Sequence, residues 1–472
     1  MGHMSRKITL QKLKLMFYEY YSRTPSSIDT PHQIHMREFG MQTWEHNWFC
    51  FKRSLKDSSN KTVLDETGKP IMAGCGASGS TFSPISSCPR CGAEGVQINN
   101  WHRHLSYRTR DELIKALITK APHSVYHSAA FYVVPVAKSM AAKEWQGAEL
   151  VFDIDADHID LPCAKEHDTW ACAGVDENGA PCTASGKGKP PQFCPVCNGQ
   201  KFNTQKWICK KCLETAKKHT KKLYDEFLVS DFDIDPANIQ INYSGHRGYH
   251  IRVRDPNLFQ LDDNARMEIV NYVMGLGILA DRAIVTRSGV NLIPDRSMLG
   301  WYGKIADSLI DFVTNIDKFQ GTQRWVKPLR AHKTDILEGL QRNRPILRSK
   351  LKGLGPKSWK EIALVAAEAY GCEIDKPVTT DLRRVIRLIG SLNGKTGLIV
   401  SEISRNEFDT FSPFRDSLAF TEGSLRVTFP PNRTSPVITI GDDTYGPYSD
   451  ESVELPTAAA VFALCKGVAT FE

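Results

Sequence analysis

Two aspartates, Asp153 and Asp155, interrupt VFDIDADHIDLPC (151–163), a stretch otherwise apolar enough for a buried strand. Strand side chains alternate faces, so Leu150, Phe152 and Ile154 point one way and the two carboxylates share the other. Paired ionised carboxylates repel, and a divalent cation removes that cost. Carboxylate oxygen suits a hard ion such as Mg²⁺ or Mn²⁺. Alone, D-x-D is also the pattern of an edge strand with solvated acids. Its company decides.

In SGHRGYHIRV (244–253), Gly245 and Gly248 leave room for a ligand and Arg247 offers a planar fork matched to phosphate oxygens. Ser244 adds a hydroxyl, and His250 opens the next strand on the face of Arg252. In EIDKPVTTDLRRVIRLIGSLNGKTG (373–397), Asp375 lies on an extended segment ahead of a helix expected to start at Thr380 or Asp381. Leu382, Val385, Ile386 and Ile389 form its apolar stripe, Arg383, Arg384 and Arg387 take other faces, and Lys395 follows in a Gly-bounded loop. A third acid beside several cations suits a metal–nucleotide site.

Most of the 13 cysteines fall in two windows, 75–91 and 163–212, several as C-x-x-C. With no secretory signal in view, this pattern predicts metal ligation in a reducing compartment. CPVC (Cys194, Cys197) and CKKC (Cys209, Cys212) are strong zinc signals. Cys163, His167, Cys172 and Cys182 precede them, giving ligands enough for two ions. Cys75, Cys88 and Cys91 form a third, incomplete group that Cys50, His102 or His104 could complete. Cys372 and Cys465 read as buried core thiols.

The elements that must position these residues are legible in outline. The 472 residues are 41% hydrophobic and 24% charged, as in a soluble globular protein of more than one unit. The net charge of +7 fits a nucleic-acid partner without demanding one. There is no run of 18 apolar residues, so no membrane span is expected, and the leading MGHM reads as a cloning remnant. Helices are expected at 7–21 and 110–120, in KKCLETAKKHTKKLYDEFLV with a solvated lysine face, and around 262–279, 300–315, 330–342 and 357–370. NIQINYSGHRGYHIRVR reads as strand, turn, strand. Residues 50–98 look inserted, residues 163–212 would not fold without metal, and no internal repeat is evident.

The order D-x-D, then S-G-x-R-G-x-H, then I-D-x-x-V-T-x-D-x-x-R-x-I-R-x-x-x-S-L-x-G-K-T-G resembles the small catalytic subunit of archaeal and eukaryotic DNA primase, the archaeal form most closely. REFG (37–40), RHLSY (103–107), VYHSAAFY (125–132) and ELPTAAAVFALCKG (454–467) extend the resemblance along nearly the whole chain. It implies an α/β (α+β) primase fold with mixed sheets and a unit resembling an RNA-recognition module. The discontinuous core would span 5–256 and 371–472. It would carry the 50–98 insertion, a zinc-binding segment at 163–212 and a helical insertion at 257–370. By motif match, Asp153, Asp155 and Asp375 would hold Mg²⁺ or Mn²⁺; Ser244, Arg247 and His250 would contact a nucleoside triphosphate; and Arg103, Arg387 and Lys395 would bind further phosphate oxygens.

One position departs: the family's S-L-H-G-K carries Asn393 here, which can donate a hydrogen bond but carries no charge. His246 is a candidate compensating cation. The resemblance also implies a zinc knuckle ending in W-x-C-x-x-C, which WICKKC (207–212) supplies. Cys163, His167, Cys209 and Cys212 would then bind one Zn²⁺ and Cys172, Cys182, Cys194 and Cys197 a second, although the two C-x-x-C pairs could share one ion instead. The implied activity is metal-dependent primer synthesis on single-stranded DNA. The expected partner is a large subunit carrying an iron–sulfur centre, in a cytoplasmic, nucleoid-associated replication complex. A repair or damage-bypass primase-polymerase and a catalytically silent zinc-dependent DNA-binding protein are the alternatives.

Overall fold

The computed structural model describes residues 3–472 apart from 52, 55–58, 60, 64–68, 70–71, 160, 176–178, 280–283, 289, 342–345, 349–350 and 432–433. Part of the 50–98 segment, read above as inserted, thus lies outside the described residues. The fold is mixed α/β with several antiparallel sheets. Residues 1–147, 242–246 and 383–472 form one compact unit; residues 148–241 and 247–382 form the other. Among the described residues no helix is long and apolar enough to cross a membrane.

In the first unit, the long strand Phe39–Phe49 pairs antiparallel with Ser78–Thr81, Gln97–Leu105 and Ser124–Ser128. The helix His3–Arg23 buries Leu13, Phe17, Tyr20 and Tyr21, the i, i+4, i+7, i+8 stripe of an amphipathic helix. The helix Arg110–Lys120 starts where its sequence says it should. Thr109 accepts from Glu112 N–H, and the Glu112 carboxylate accepts from Arg108 N–H at 2.8 Å.

The second unit is built on the strand Leu150–Asp155, antiparallel to Gly248–Val253. The helix Lys210–Lys222 buries Cys212, Leu213, Ala216, Lys217 and Thr220 and leaves Lys210, Lys211 and Lys218 exposed. Helices Asp263–Val273, Gly300–Thr314, Val326–Ala331, Lys333–Leu340 and Pro356–Tyr370 occupy the stretch read as helical. Three short antiparallel strands, Val285–Arg287, Val290–Leu292 and Ile346–Arg348, interrupt it.

The helix expected from Thr380 onward does not form. A short helix, Lys376–Thr380, follows Asp375 directly, with Asp381 at its end, and Val385–Arg387 is a strand paired with Ser124–Ser128. The apolar spacing suited a helix. However, Val385 and Ile386 are β-branched, and the sheet offers their backbone a ladder of partners.

Candidate active site

Burial of Leu150, Phe152 and Ile154 fixes the acidic strand and turns Asp153 and Asp155 to its other, half-buried face. Across the ladder, His250 stands opposite Asp153 and Gly248 opposite Asp155. His250 Nε2 lies 3.6 Å from Asp153 Oδ1. Gly248 suits a close backbone approach, because a Cβ there would sit 2.0 Å from the Ile154 carbonyl oxygen. Asp375 joins through its backbone, donating its N–H to the Asp153 carbonyl at 2.9 Å, and its Oδ2 lies 3.7 Å from His158 Nε2. Asp153, Asp155, Asp375 and His250 are thereby brought together.

Burial, then the like charges of Asp157 and Asp153, push the Asp155 carboxyl up to about 6, against a hydrogen bond from Asp157 N–H and the charge of Arg247. An all-oxygen donor set under mutual repulsion fits a hard cation. Among the described residues, groups of three or more candidate ligands with every ligand atom within 4.8 Å of the others occur only in three cysteine-rich clusters, so the three acids are spaced more widely.

Arg247 is buried, at 1% side-chain exposure, with Nη1 2.8 Å from Asp157 Oδ1 and 3.1 Å from Asp168 Oδ2. Its Nε has no hydrogen-bond partner among the described residues. Asp168 also accepts from His167 Nδ1 and from Trp207 N–H, each at 2.8 Å. Burial pushes the Asp168 carboxyl up, but these bonds and the Arg247 charge together hold it below the usual range. Asp157 and Asp168 were not singled out from sequence. Their signals were the third acid of D-x-D-x-D and a carboxylate beside a candidate zinc histidine.

The remaining phosphate candidates lie in the first unit. Asn393 is fully buried. Its Nδ2 donates to the Ser244 carbonyl at 3.1 Å and its Oδ1 accepts from Lys395 N–H at 3.0 Å, so it braces the Ser244 turn against the Lys395 loop. Lys395 is exposed. The Arg387 guanidinium lies over the Tyr126 ring at 4.9 Å and leaves Nη1 without a hydrogen-bond partner among the described residues. Arg103 is gripped along one edge of its guanidinium by Glu38, Nε donating to Oε1 at 2.9 Å and Nη2 to Oε2 at 3.1 Å. His246 Nε2 lies 3.1 Å from Lys466 Nζ. An ammonium only donates, so the positive charge at this place is that of Lys466. His123, also missed from sequence, packs beside Gly394, where a Cβ would meet its ring at 2.3 Å.

The cysteines form three groups: Cys163, His167, Cys209 and Cys212; Cys172, Cys182, Cys194 and Cys197; and Cys50, Cys75, Cys88 and Cys91. The two C-x-x-C pairs of 163–212 thus sit in different groups, and Cys50 rather than His102 or His104 stands fourth in the last. In the first group Cys212 Sγ lies 3.5 Å from Cys163 Sγ, 3.6 Å from Cys209 Sγ and 3.3 Å from His167 Nε2. A tetrahedral zinc at ~2.3 Å from each sulfur would set them about 3.8 Å apart, so the donors fit a metal such as zinc. Cys372 is buried, whereas Cys465 is half-buried.

The sequence model of the DNA primase small subunit matches residues 201–405. The DNA primase small subunit PriS of Methanococcoides burtonii is 30% identical over 391 residues, which cover 78% of this chain and 87% of that protein. The chain belongs to the DNA primase small subunit family. Its other archaeal relatives include PriS of Nitrosopumilus maritimus, 29% identical over 371 residues (78% of this chain, 87% of the relative), and of Archaeoglobus fulgidus, 29% over 371 residues (79% and 87%). Within the family match fall Cys209, Cys212, Ser244, Arg247, His250, Asp375, Arg387, Asn393 and Lys395.

Proposed function

We propose that this chain is a primase catalytic subunit, joining nucleoside triphosphates on single-stranded DNA during replication. The observation that carries the reading is the register of the two strands, which sets His250 and Gly248 against Asp153 and Asp155 in a chain of this family. Asp153, Asp155 and Asp375 would hold Mg²⁺ or Mn²⁺. Such ions, when bound, lower the pKa of an attacking hydroxyl and neutralise charge on phosphate oxygens.

The protein's own part is binding and orientation. His250 beside Asp153 donates toward a phosphate oxygen. The buried Arg247, its Nη1 pinned between Asp157 and Asp168, points a pre-set donor at the triphosphate without reorganising. Ser244, Asn393 and Lys395 act as one braced turn and loop. The free Nη1 of Arg387 and the remaining N–H of Arg103 supply further phosphate contacts. No protein nucleophile is required. Zn²⁺ on Cys163, His167, Cys209 and Cys212 would fix the knuckle that carries Asp168. The family reading extends to an RNA-recognition-module-like catalytic unit and to a large subunit with an iron–sulfur centre as partner.

Unprimed synthesis on single-stranded DNA tests this reading, with labelled nucleotides, Mg²⁺ or Mn²⁺, and wild type beside Asp153→Ala/Asp155→Ala, with and without the candidate large subunit. Products from wild type alone support it. Extension of a supplied primer without initiation would favour the repair primase-polymerase. DNA binding without synthesis, unchanged in the double variant, would favour the silent binding protein.

A further inference from the structure

Two of the three cysteine groups are the same object built twice. Trp48-Phe49-Cys50 matches Trp170-Ala171-Cys172; Cys75-Gly-Ala-Ser-Gly79 matches Cys182-Thr-Ala-Ser-Gly186; and Cys88-Pro-Arg-Cys91 matches Cys194-Pro-Val-Cys197. The structure repeats the match in strand pairing, in the hydrogen bonds of the C-P-x-C turn and in the order of the sulfurs. In each copy the strand bearing the tryptophan is central, with one antiparallel neighbour on either side: Ser78–Thr81 and Gln97–Leu105 in the first, Ser185–Lys187 and Phe202–Gln205 in the second.

Trp48 pairs with Gly79, and Trp170 with Gly186. A Cβ on either glycine would meet the tryptophan ring, at 2.9 and 2.7 Å. Cys50 N–H donates to Ala77 O at 2.9 Å, and Cys172 N–H to Ala184 O at 2.8 Å.

The C-P-x-C turns agree as closely. Cys88 N–H bonds Ala93 O and Gly92 N–H bonds Cys88 O, both at 2.9 Å; Cys194 N–H bonds Gly199 O at 2.8 Å and Asn198 N–H bonds Cys194 O at 2.9 Å. Gly92 and Asn198 take the same left-handed backbone, with φ of +72° and +55°. Arg90 N–H and Val196 N–H point at Cys88 Sγ and Cys194 Sγ, at 3.4 and 3.5 Å. The sulfurs pair in the same order: Cys50–Cys91 at 3.7 Å and Cys172–Cys197 at 3.4 Å, then Cys75–Cys88 and Cys182–Cys194, both at 3.7 Å.

We infer that these are two copies of one metal-binding module, each taking a single zinc ion on four thiolates. The separations exceed the ~2.05 Å of a disulfide and approach the edge of a zinc–sulfur tetrahedron. In the second copy the buried cluster consists of Cys172, Cys182 and Cys194, with Ala184, Cys197 and Phe202 packed on it, too small a core to hold three short strands without an ion. N–H groups aimed at sulfur favour the thiolate form a soft cation requires. The absence of a repeat expected from sequence is therefore corrected. The repeat hides because the first and second cysteines are far apart in one copy (50 and 75) and close in the other (172 and 182). With the Cys163–His167–Cys209–Cys212 group, the chain would hold three ions.

The test needs no enzymatic activity. Elemental analysis and native mass spectrometry of the full chain should give three zinc ions. Cys88→Ser/Cys91→Ser and Cys194→Ser/Cys197→Ser should each remove one, and the combined variant two. If a variant fails to fold, the cadmium-113 spectrum of the cadmium-loaded wild type decides instead. Two resonances of tetrathiolate type and one of three-sulfur, one-nitrogen type are expected. A single ion per wild-type chain, or one tetrathiolate resonance, would overturn the proposal.

Discussion

Asp168 holds His167 with one carboxylate oxygen and Arg247 with the other, at 2.8 and 3.1 Å. A zinc-ligand candidate and a triphosphate-ligand candidate are thereby hung on one side chain. Carboxylates that orient a ligating histidine raise metal affinity 10–100-fold. Asp168→Asn keeps the shape, removes the charge and leaves Arg247 paired only with Asp157. Zinc affinity should fall by roughly that factor. The KM for nucleotide should rise more than kcat falls, because Arg247 loses its fixed orientation. Zinc competition with a chelator and steady-state kinetics check the two halves. An unchanged KM would confine Asp168 to the knuckle.

Gly248→Ala tests how tightly the two central strands must approach. The added carbon would stand 2.0 Å from Ile154 O and 2.8 Å from Asp155 Cα, both backbone atoms that cannot swing aside. The strands must part at the point where Asp155 is presented. Destabilisation of about 1–3 kcal/mol is expected from overpacking, with synthesis lost even at temperatures where the variant stays folded. Thermal unfolding and primer synthesis on the same preparation separate the two effects.

Much of this site could be read in the sequence, for physical reasons. Alternation along 150–155 set the face of the acids before any neighbour was known. Ligand chemistry drew attention to the cysteines, because few other arrangements use C-x-x-C. Fixed spacing could not decide pairing: Cys50 lies far in sequence from Cys91 but 3.7 Å away in space. The helix expected from Thr380 failed because the period of Leu382, Val385, Ile386 and Ile389 cannot tell a buried helix stripe from a short strand whose ladder partner is distant in sequence. Asp157, Asp168 and His123 were missed because their importance lies in what they touch.

His123 makes a pH-dependent contribution with a definite sign. Burial first, then the charges of Arg387, Lys395 and His46, pull its imidazole down to about 3. Between pH 3 and the ordinary imidazole range the unfolded chain binds a proton that the folded chain refuses. Stability is fully present above about pH 6.5 and is lost as pH falls, by up to about 1.4 kcal/mol per pH unit. His123→Phe should flatten the wild-type slope between pH 6.5 and 4, as measured by urea unfolding across that range. Parallel slopes for the two proteins would show that another group carries the dependence.

The buried pair Arg252–Glu149 anchors the row that ends at the candidate active site. Both side chains are 1% exposed, and Glu149 Oε2 accepts from Arg252 Nε at 3.1 Å and from Nη2 at 2.6 Å. Arg252 shares its strand face with His250, so its guanidinium helps set the strand that faces Asp153. Glu149→Gln keeps the volume but leaves Arg252 charged and poorly paired in the interior, because Gln240, at 3.0 Å, offers only a neutral oxygen. A loss of about 3–5 kcal/mol is expected, most of it the cost of the orphaned charge. Adding Arg252→Met removes that charge, so the double variant should be more stable than Glu149→Gln alone. Urea midpoints at constant slope test the order wild type, double variant, single variant. A single variant as stable as wild type would mean that the strand is held by its apolar face alone.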